Sequence, residues 1–135
     1  TPFDGAEYDY YTTTKGVLEK VKAHVGDVDF AVQPEILSLL SSGNFGRYAD
    51  EKGEMKVCFI SNNDITGGNS GSAMFNSKGE LLGLAFDGNW EAMGSDILYE
   101  PKMQRTIGVD VRYILFMIEK YGKAGNLIQE LNILN

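Results

Sequence analysis

The stretch from Met55 to Asp87 constrains this chain more than any other. Residues 55–60, with Met55, Val57, Cys58, Phe59 and Ile60, form an apolar run that reads as a buried strand. It leads into the small-residue loop "DITGGNSGS", then into a strand-forming segment at 72–76, the turn "NSKG" and a further strand at 80–87. Gly79 suits the positive φ of a tight turn, so the last two segments pair as a hairpin. One serine, Ser70, is thereby placed in a glycine-rich loop just before a hairpin, and that serine decides what chemistry is open to the chain.

Around this centre the periodicity changes. Tyr8, Tyr10 and Tyr11 with Thr12 to Thr14 read as a strand, because aromatic and β-branched residues suit a pleated surface. From Lys15 to His24, Val17, Leu18, Val21 and Val25 recur at helical spacing, and Pro34 opens a second helix to Leu40, closed by Ser41, Ser42 and Gly43. Residues 103–109 read as another strand, and Asp110 can cap a helix whose Val111, Ile114, Leu115 and Ile118 share one face until Gly122 stops it. A short amphipathic tail, 126–134, follows. The expected fold class is mainly β with flanking helices. At 135 residues the expectation is a single domain: a mixed strand and helix lead-in at 1–53, the serine-bearing part at 54–110 and C-terminal helices at 111–135.

Composition removes several functions. With 43% hydrophobic and 23% charged residues the chain reads as globular and soluble. A net charge of −7, with the 12 Lys and Arg scattered, argues against nucleic acid, which needs a basic patch. The longest apolar run, "ILFMI", falls well short of the ~20 residues of a membrane span. Cys58 is the single cysteine and lies in "VCFI", where a buried, inert thiol is expected. No signal peptide is visible, and the opening "TPFDGAEYDYY" resembles the start of an excised piece.

Ser70 does not belong to a P-loop, since no lysine follows the glycines, nor to an esterase elbow, whose Gly-x-Ser-x-Gly spacing and following helix are both missing. The Gly-x-Ser-Gly turn of chymotrypsin-like serine peptidases remains. In that turn Gly68 lets the backbone aim its own N–H and that of Ser70 at an oxyanion, each donor being worth about 3–4 kcal/mol, and Gly71 leaves room for the acyl group. A bare four-residue match fits a surface turn equally well. The flanking order of strand, loop, serine, strand, turn and strand favours the peptidase. Asn69, uncharged before the serine, could not pair with a newly freed chain terminus, so activation of that kind is not expected.

A serine hydroxyl needs a base oriented by a third group. The sole histidine, His24, lies at the end of an amphipathic helix in "EKVKAHVGD", where a solvent-exposed position favoured by the helix dipole is expected. The triad is therefore incomplete here, and the sequence reads as the C-terminal part of a longer peptidase. Asp87 falls at a strand end, on the face opposite Leu82, Leu84 and Phe86, and its residues alone allow a turn aspartate before Gly88 and Asn89.

From about Tyr8 to Leu131 the sequence resembles the C-terminal catalytic segment of the bacterial dipeptidyl peptidases of peptidase family S-forty-six. The resemblance is carried by "YDYYTT", "FGRYAD", "NDITGGNSGS", "GELLGLAFDGNWEAM", "EPKMQRTIGVDVRYILFMIEKYG" and "AGNLI". It implies a chymotrypsin-like double β-barrel with an added helical domain, of which this chain holds the C-terminal barrel, and release of dipeptides from free peptide N-termini. It further implies a homodimer without metal or other cofactor, periplasmic or outer-surface associated in a Gram-negative bacterium. By matching position, Ser70 is the nucleophile, the N–H groups of Gly68 and Ser70 form the oxyanion hole, and Asp87 holds the substrate's α-ammonium. Gly88 matches the position lining the first specificity pocket, where arginine marks the acidic-specific branch and glycine indicates a hydrophobic preference. The triad histidine and aspartate are expected upstream. Ala73 stands where proline is common in the family, with no evident catalytic consequence. Two other classes stay open: a V8-like serine endopeptidase segment, and a non-catalytic β-domain kept for binding or assembly. Intact Gly68, Ser70, Gly71 and Asp87 favour the exopeptidase over the latter.

Overall fold

The structure is a computed structural model that describes residues 8–94 and 102–134. Two compact units emerge among the described residues, one from 8–12, 58–94 and 102–109, the other from 13–57 and 110–134. Each draws on distant parts of the chain.

The first unit is built on an antiparallel sheet. The sheet's strands are β1 (Tyr11–Thr13), β2 (Lys56–Ser61), β3 (Ala73–Phe75), β4 (Leu81–Gly88) and β5 (Thr106–Asp110), in spatial order β1-β2-β5-β4-β3, and all but the strand-end residues Thr13, Lys56, Val57 and Asp110 belong to the first unit. β2 runs antiparallel to β5 with Cys58 opposite Val109 and Phe59 opposite Gly108. β3 runs antiparallel to β4 with Ala73 opposite Leu84 and Met74 opposite Gly83, and a bulge falls between Met74 and Phe75. The expected hairpin is present: Gly79 has φ +78°, and Asn76 Oδ1 accepts the N–H groups of Lys78 and Glu80 at 2.9 and 3.0 Å. Gly83 and Gly108 carry the Phe59 ring. A Cβ on Gly83 would meet the Val109 carbonyl and lie 2.9 Å from the ring, and one on Gly108 would lie 2.8 Å from it. Along β4 the small residues take the inner face, with Ala85 5% exposed, while Leu82 and Phe86 are 42% and 61% exposed.

The second unit is helical. It comprises α1 (Thr14–Ala23), α2 (Pro34–Ser41), α3 (Val111–Phe116) and α4 (Gly125–Gln129). Leu40, Phe45, Tyr48, Met55, Leu115, Phe116 and Ile128 form its core. The Phe116 ring is its centre, with Phe45 and Tyr48 edge-on at 5.7 and 6.1 Å. Tyr48 is buried to 2% exposure and donates its hydroxyl hydrogen bond to Glu119 Oε2 at 2.6 Å. Burial, and then this bond to a carboxylate, push the Tyr48 phenol up to about 12, while the same bond, helped by Lys120, holds the Glu119 carboxyl below its ordinary value. Asp110 caps α3 as expected, accepting from the Arg112 N–H at 2.9 Å and from its guanidinium at 2.9 and 2.6 Å.

Several expectations need correction. The first strand is only Tyr11–Thr13, because Thr14 already belongs to α1, and Tyr8 and Tyr10 are 69% and 60% exposed. The strand expected at 103–109 begins at Thr106. The helix after Asp110 widens into a π-helix at Met117–Tyr121, its last turn closing through the Gly122 N–H to Met117 O at 2.8 Å. Cys58 is half-buried and not buried, since strand alternation gives the inward position of β2 to Val57. His24 is half-buried rather than solvent-exposed: its ring stacks on Phe30 at 4.0 Å and its Nδ1 donates to the Lys20 carbonyl at 2.9 Å. No helix among the described residues is long and apolar enough to cross a membrane.

Candidate active site

The loop from Asn62 to Ser72 is pinned at both ends. Near its start, Thr106, 1% exposed, donates its hydroxyl to Asn63 O at 2.6 Å. At its end, the Gly71 N–H donates to Ala85 O at 2.7 Å and the Ala85 N–H to Ser72 O at 2.8 Å, which lays the residues after Ser70 along β4. Between these anchors the loop braces itself. The Thr66 N–H donates to Asn69 Oδ1 at 2.7 Å, and the Asn69 N–H returns to Thr66 O at 3.2 Å. Asn69, notable in the sequence only for its missing charge, therefore holds the turn's shape. Gly68 at φ +95° and Gly71 at φ +86° adopt conformations that side chains disfavour, so glycine on either side of Asn69 and Ser70 is what the turn requires.

The bracing leaves specific groups over. Among the described residues, the Gly68 and Ser70 N–H groups have no acceptor, whereas those of Asn69, Gly71 and Ser72 are all bonded. Two open backbone donors beside an exposed serine hydroxyl are what an oxyanion needs. Ser70 Oγ donates a long hydrogen bond, 3.4 Å, to Phe86 O. The only histidine, His24, belongs to the other unit and gives its Nδ1 to Lys20 and its ring face to Phe30.

Ser70 opens onto a cleft of about 240 Å³ lined by Ile65, Thr66, Gly67, Gly68, Ala85, Phe86, Asp87, Gly88, Asn89 and Ala92. The sequence-derived residues Gly68, Ser70, Asp87 and Gly88 thus line one cleft, although 17 positions separate Ser70 from Asp87. Asp87, exposed at the end of β4, accepts the Gly88 N–H at 2.8 Å through Oδ1, and no cation pairs with it among the described residues. An exposed carboxylate without a cationic partner, lining an otherwise uncharged cleft, is suited to an ammonium group.

Asn89, named in the sequence only as part of a turn after Asp87, has a structural role of its own. Its Nδ2 donates to Met103 O at 2.8 Å and Glu91 Oε2 at 2.7 Å, and its Oδ1 accepts the Arg105 N–H at 2.8 Å. The end of β4 that carries Asp87 and Gly88 is therefore clamped to the chain entering β5. The residues 95–101 of the "GNWEAMGSDILYEP" stretch lie outside the described ones.

Known proteins show what the chain is similar to. A Dipeptidyl-peptidase 7 of Porphyromonas endodontalis is 61% identical over 132 residues, and one of Porphyromonas gingivalis 59% over 133, each covering 98% of this chain. An Asp/Glu-specific dipeptidyl-peptidase of Capnocytophaga gingivalis is 45% identical over 99% of the chain. The chain spans only 16% to 18% of the length of these relatives. The crystal structure of Porphyromonas endodontalis DPP11 in complex with the dipeptide Arg-Glu superposes with a TM-score of 0.88 at 42% identity, covering 96% of this chain and 18% of that one. The antiparallel sheet with flanking helices is thus a fold shared with a solved relative. With the peptidase S46 family model matching residues 1–133, nearly the whole sequence, the chain belongs to the peptidase S46 family.

Proposed function

We propose that this chain is the nucleophile-bearing segment of a serine dipeptidyl peptidase, the C-terminal barrel of a chymotrypsin-like double-barrel enzyme. The single observation that carries the proposal is the convergence of Ser70, the open Gly68 and Ser70 N–H groups, Asp87 and Gly88 on one cleft. In the proposed reaction Asp87 binds the substrate's α-ammonium and so brings the second peptide bond to Ser70. Ser70 Oγ attacks that carbonyl carbon as its proton passes to a histidine upstream of this chain, oriented by an upstream aspartate. The carbonyl oxygen becomes an oxyanion held by the Gly68 and Ser70 N–H groups. The C–N bond then breaks, the leaving amine takes the proton, and water releases the dipeptide from the acyl-serine. In this reading the base comes from outside the chain.

Gly88 adds no charge to the pocket, which supports a hydrophobic second residue. Identity is higher to the two proteins named Dipeptidyl-peptidase 7 than to the Asp/Glu-specific one, which supports a preference other than for acidic residues. The resemblance in the quoted motifs supports a homodimeric, periplasmic or outer-surface enzyme acting on peptides with a free N-terminus. The test is hydrolysis by the full-length protein of dipeptide reporters with and without an N-acetyl group. Cleavage of unblocked reporters only, abolished by Ser70→Ala, is the expected result. Equal cleavage of both kinds makes the enzyme an endopeptidase of the V8-like kind.

A further inference from the structure

We propose, resting on the dipeptidyl peptidase reading above, that Ala92 is a specificity-determining residue whose methyl group, set against Gly88, forms the wall that limits the substrate side chain preceding the cleaved bond. β4 ends at Gly88, and the chain turns at Asn89 into the short helix Trp90–Gly94, whose Ala92 N–H returns to Asn89 O at 2.9 Å. That return brings Ala92 beside Gly88. A Cβ on Gly88 would lie 2.9 Å from the Ala92 Cβ, inside the ~3.5–4.0 Å at which carbon atoms rest against each other.

A methyl group fixed directly to the backbone cannot swing aside as the end of a long side chain can. The crowding is relieved only if the helix moves, and the helix is held. Besides its three side-chain bonds to Met103, Glu91 and Arg105, Asn89 donates its own N–H to Arg105 O at 2.9 Å. Glycine at 88 and alanine at 92 are therefore a matched pair. Both line the cleft onto which Ser70 opens, so the room for a substrate side chain is set by the two positions together and not by residue 88 alone.

The coupling is measurable in the full-length enzyme with four variants: Gly88→Ala, Ala92→Gly, the two combined, and Ala92→Val. Reporters carry Ala or Leu as the second residue, and the quantity read is the Leu-to-Ala ratio of kcat/KM, which is independent of the fraction of enzyme folded. Gly88→Ala and Ala92→Val are each expected to lower that ratio about tenfold, mainly through KM, as one methylene in an apolar pocket can. Adding Ala92→Gly to Gly88→Ala is expected to bring the ratio back to within about threefold of the unmutated enzyme, a coupling that independent sites would not show. Purely additive effects of Gly88→Ala and Ala92→Gly, or an unchanged ratio in Ala92→Val, overturn the proposal. The same ratio can be taken on N-acetylated peptides. An enzyme indifferent to N-acetylation would overturn the dipeptidyl reading while the ratio still measured the wall at Ala92.

Discussion

At the scale of single residues, Asp87 bears the heaviest demand. A free ammonium held by a carboxylate in a partly closed site makes a charge-assisted bond, and losing one partner of such a pair costs about 2–5 kcal/mol. Asp87→Ala or Asp87→Asn in the full-length protein is therefore expected to lower kcat/KM on unblocked reporters by about 30-fold or more with folding intact. Acetylating the substrate should do the same to the unmutated enzyme and add little in the mutant; near-normal activity of Asp87→Ala would reduce Asp87 to a turn residue. Tyr48 makes a demand on stability instead. Its hydroxyl bond to Glu119 is expected to contribute about 1–2 kcal/mol, lost in Tyr48→Phe. Glu119 titrates below its ordinary 4.5 in the folded protein, so its contribution is present above that value and lost as pH falls through the lowered one. Tyr48 is raised from 10.0 to about 12, so its contribution is present below pH 10.0 and lost as pH rises toward about 12. Denaturant midpoints of the wild type and Tyr48→Phe should differ most at neutral pH and converge toward both extremes. A pH-independent difference would mean that the hydroxyl only packs.

At the scale of elements, glycines decide what the sheet and the loop can do. Gly83 lies against the Val109 carbonyl and under the Phe59 ring, and neither backbone nor ring can retreat far in a five-stranded sheet. Gly83→Ala is expected to destabilise the protein by about 3 kcal/mol, the upper range for overpacking, visible as a lowered thermal midpoint; a shift near zero would show that β4 slides freely. Gly68 is the contrasting case, since a Cβ there meets nothing within 4 Å and the objection is its φ of +95°. Gly68→Ala should cost only about 1–2 kcal/mol of stability, yet turn the N–H away from the cleft and depress kcat by about 100-fold, as loss of one oxyanion donor does. Stability and kcat measured on the same preparation separate the two effects.

At the scale of the whole molecule, the proposed reaction asks Ser70 to draw its base from outside this chain. A fluorophosphonate probe is expected to label Ser70 of the isolated 135-residue chain far more slowly than Ser70 of the full-length enzyme; rapid stoichiometric labelling would mean that some group within the chain activates it. Local signals in the sequence determined most of the elements. Pro34 at a helix start and Gly79 in the hairpin act through their own backbone and Asp110 through a side chain that caps the next turn, all within a few residues, and the structure bears these three out; it also gives Gly68 and Gly71 the positive φ that the turn around Ser70 needs. The π-turn before Gly122 and the strand lengths escaped, because they follow from packing and pairing rather than from propensity. Alternation along β4 sorted Leu82 and Phe86 from Gly83 and Ala85 without telling which face lies inside. Only tertiary structure decided that the small residues do, since the Phe59 ring needs the space above Gly83 and Gly108. It also decided the gathering of Ser70, Asp87 and Ala92 on one cleft and the clamp made by Asn89, because such contacts join strands far apart in the chain, and no periodicity records which strand will lie beside which.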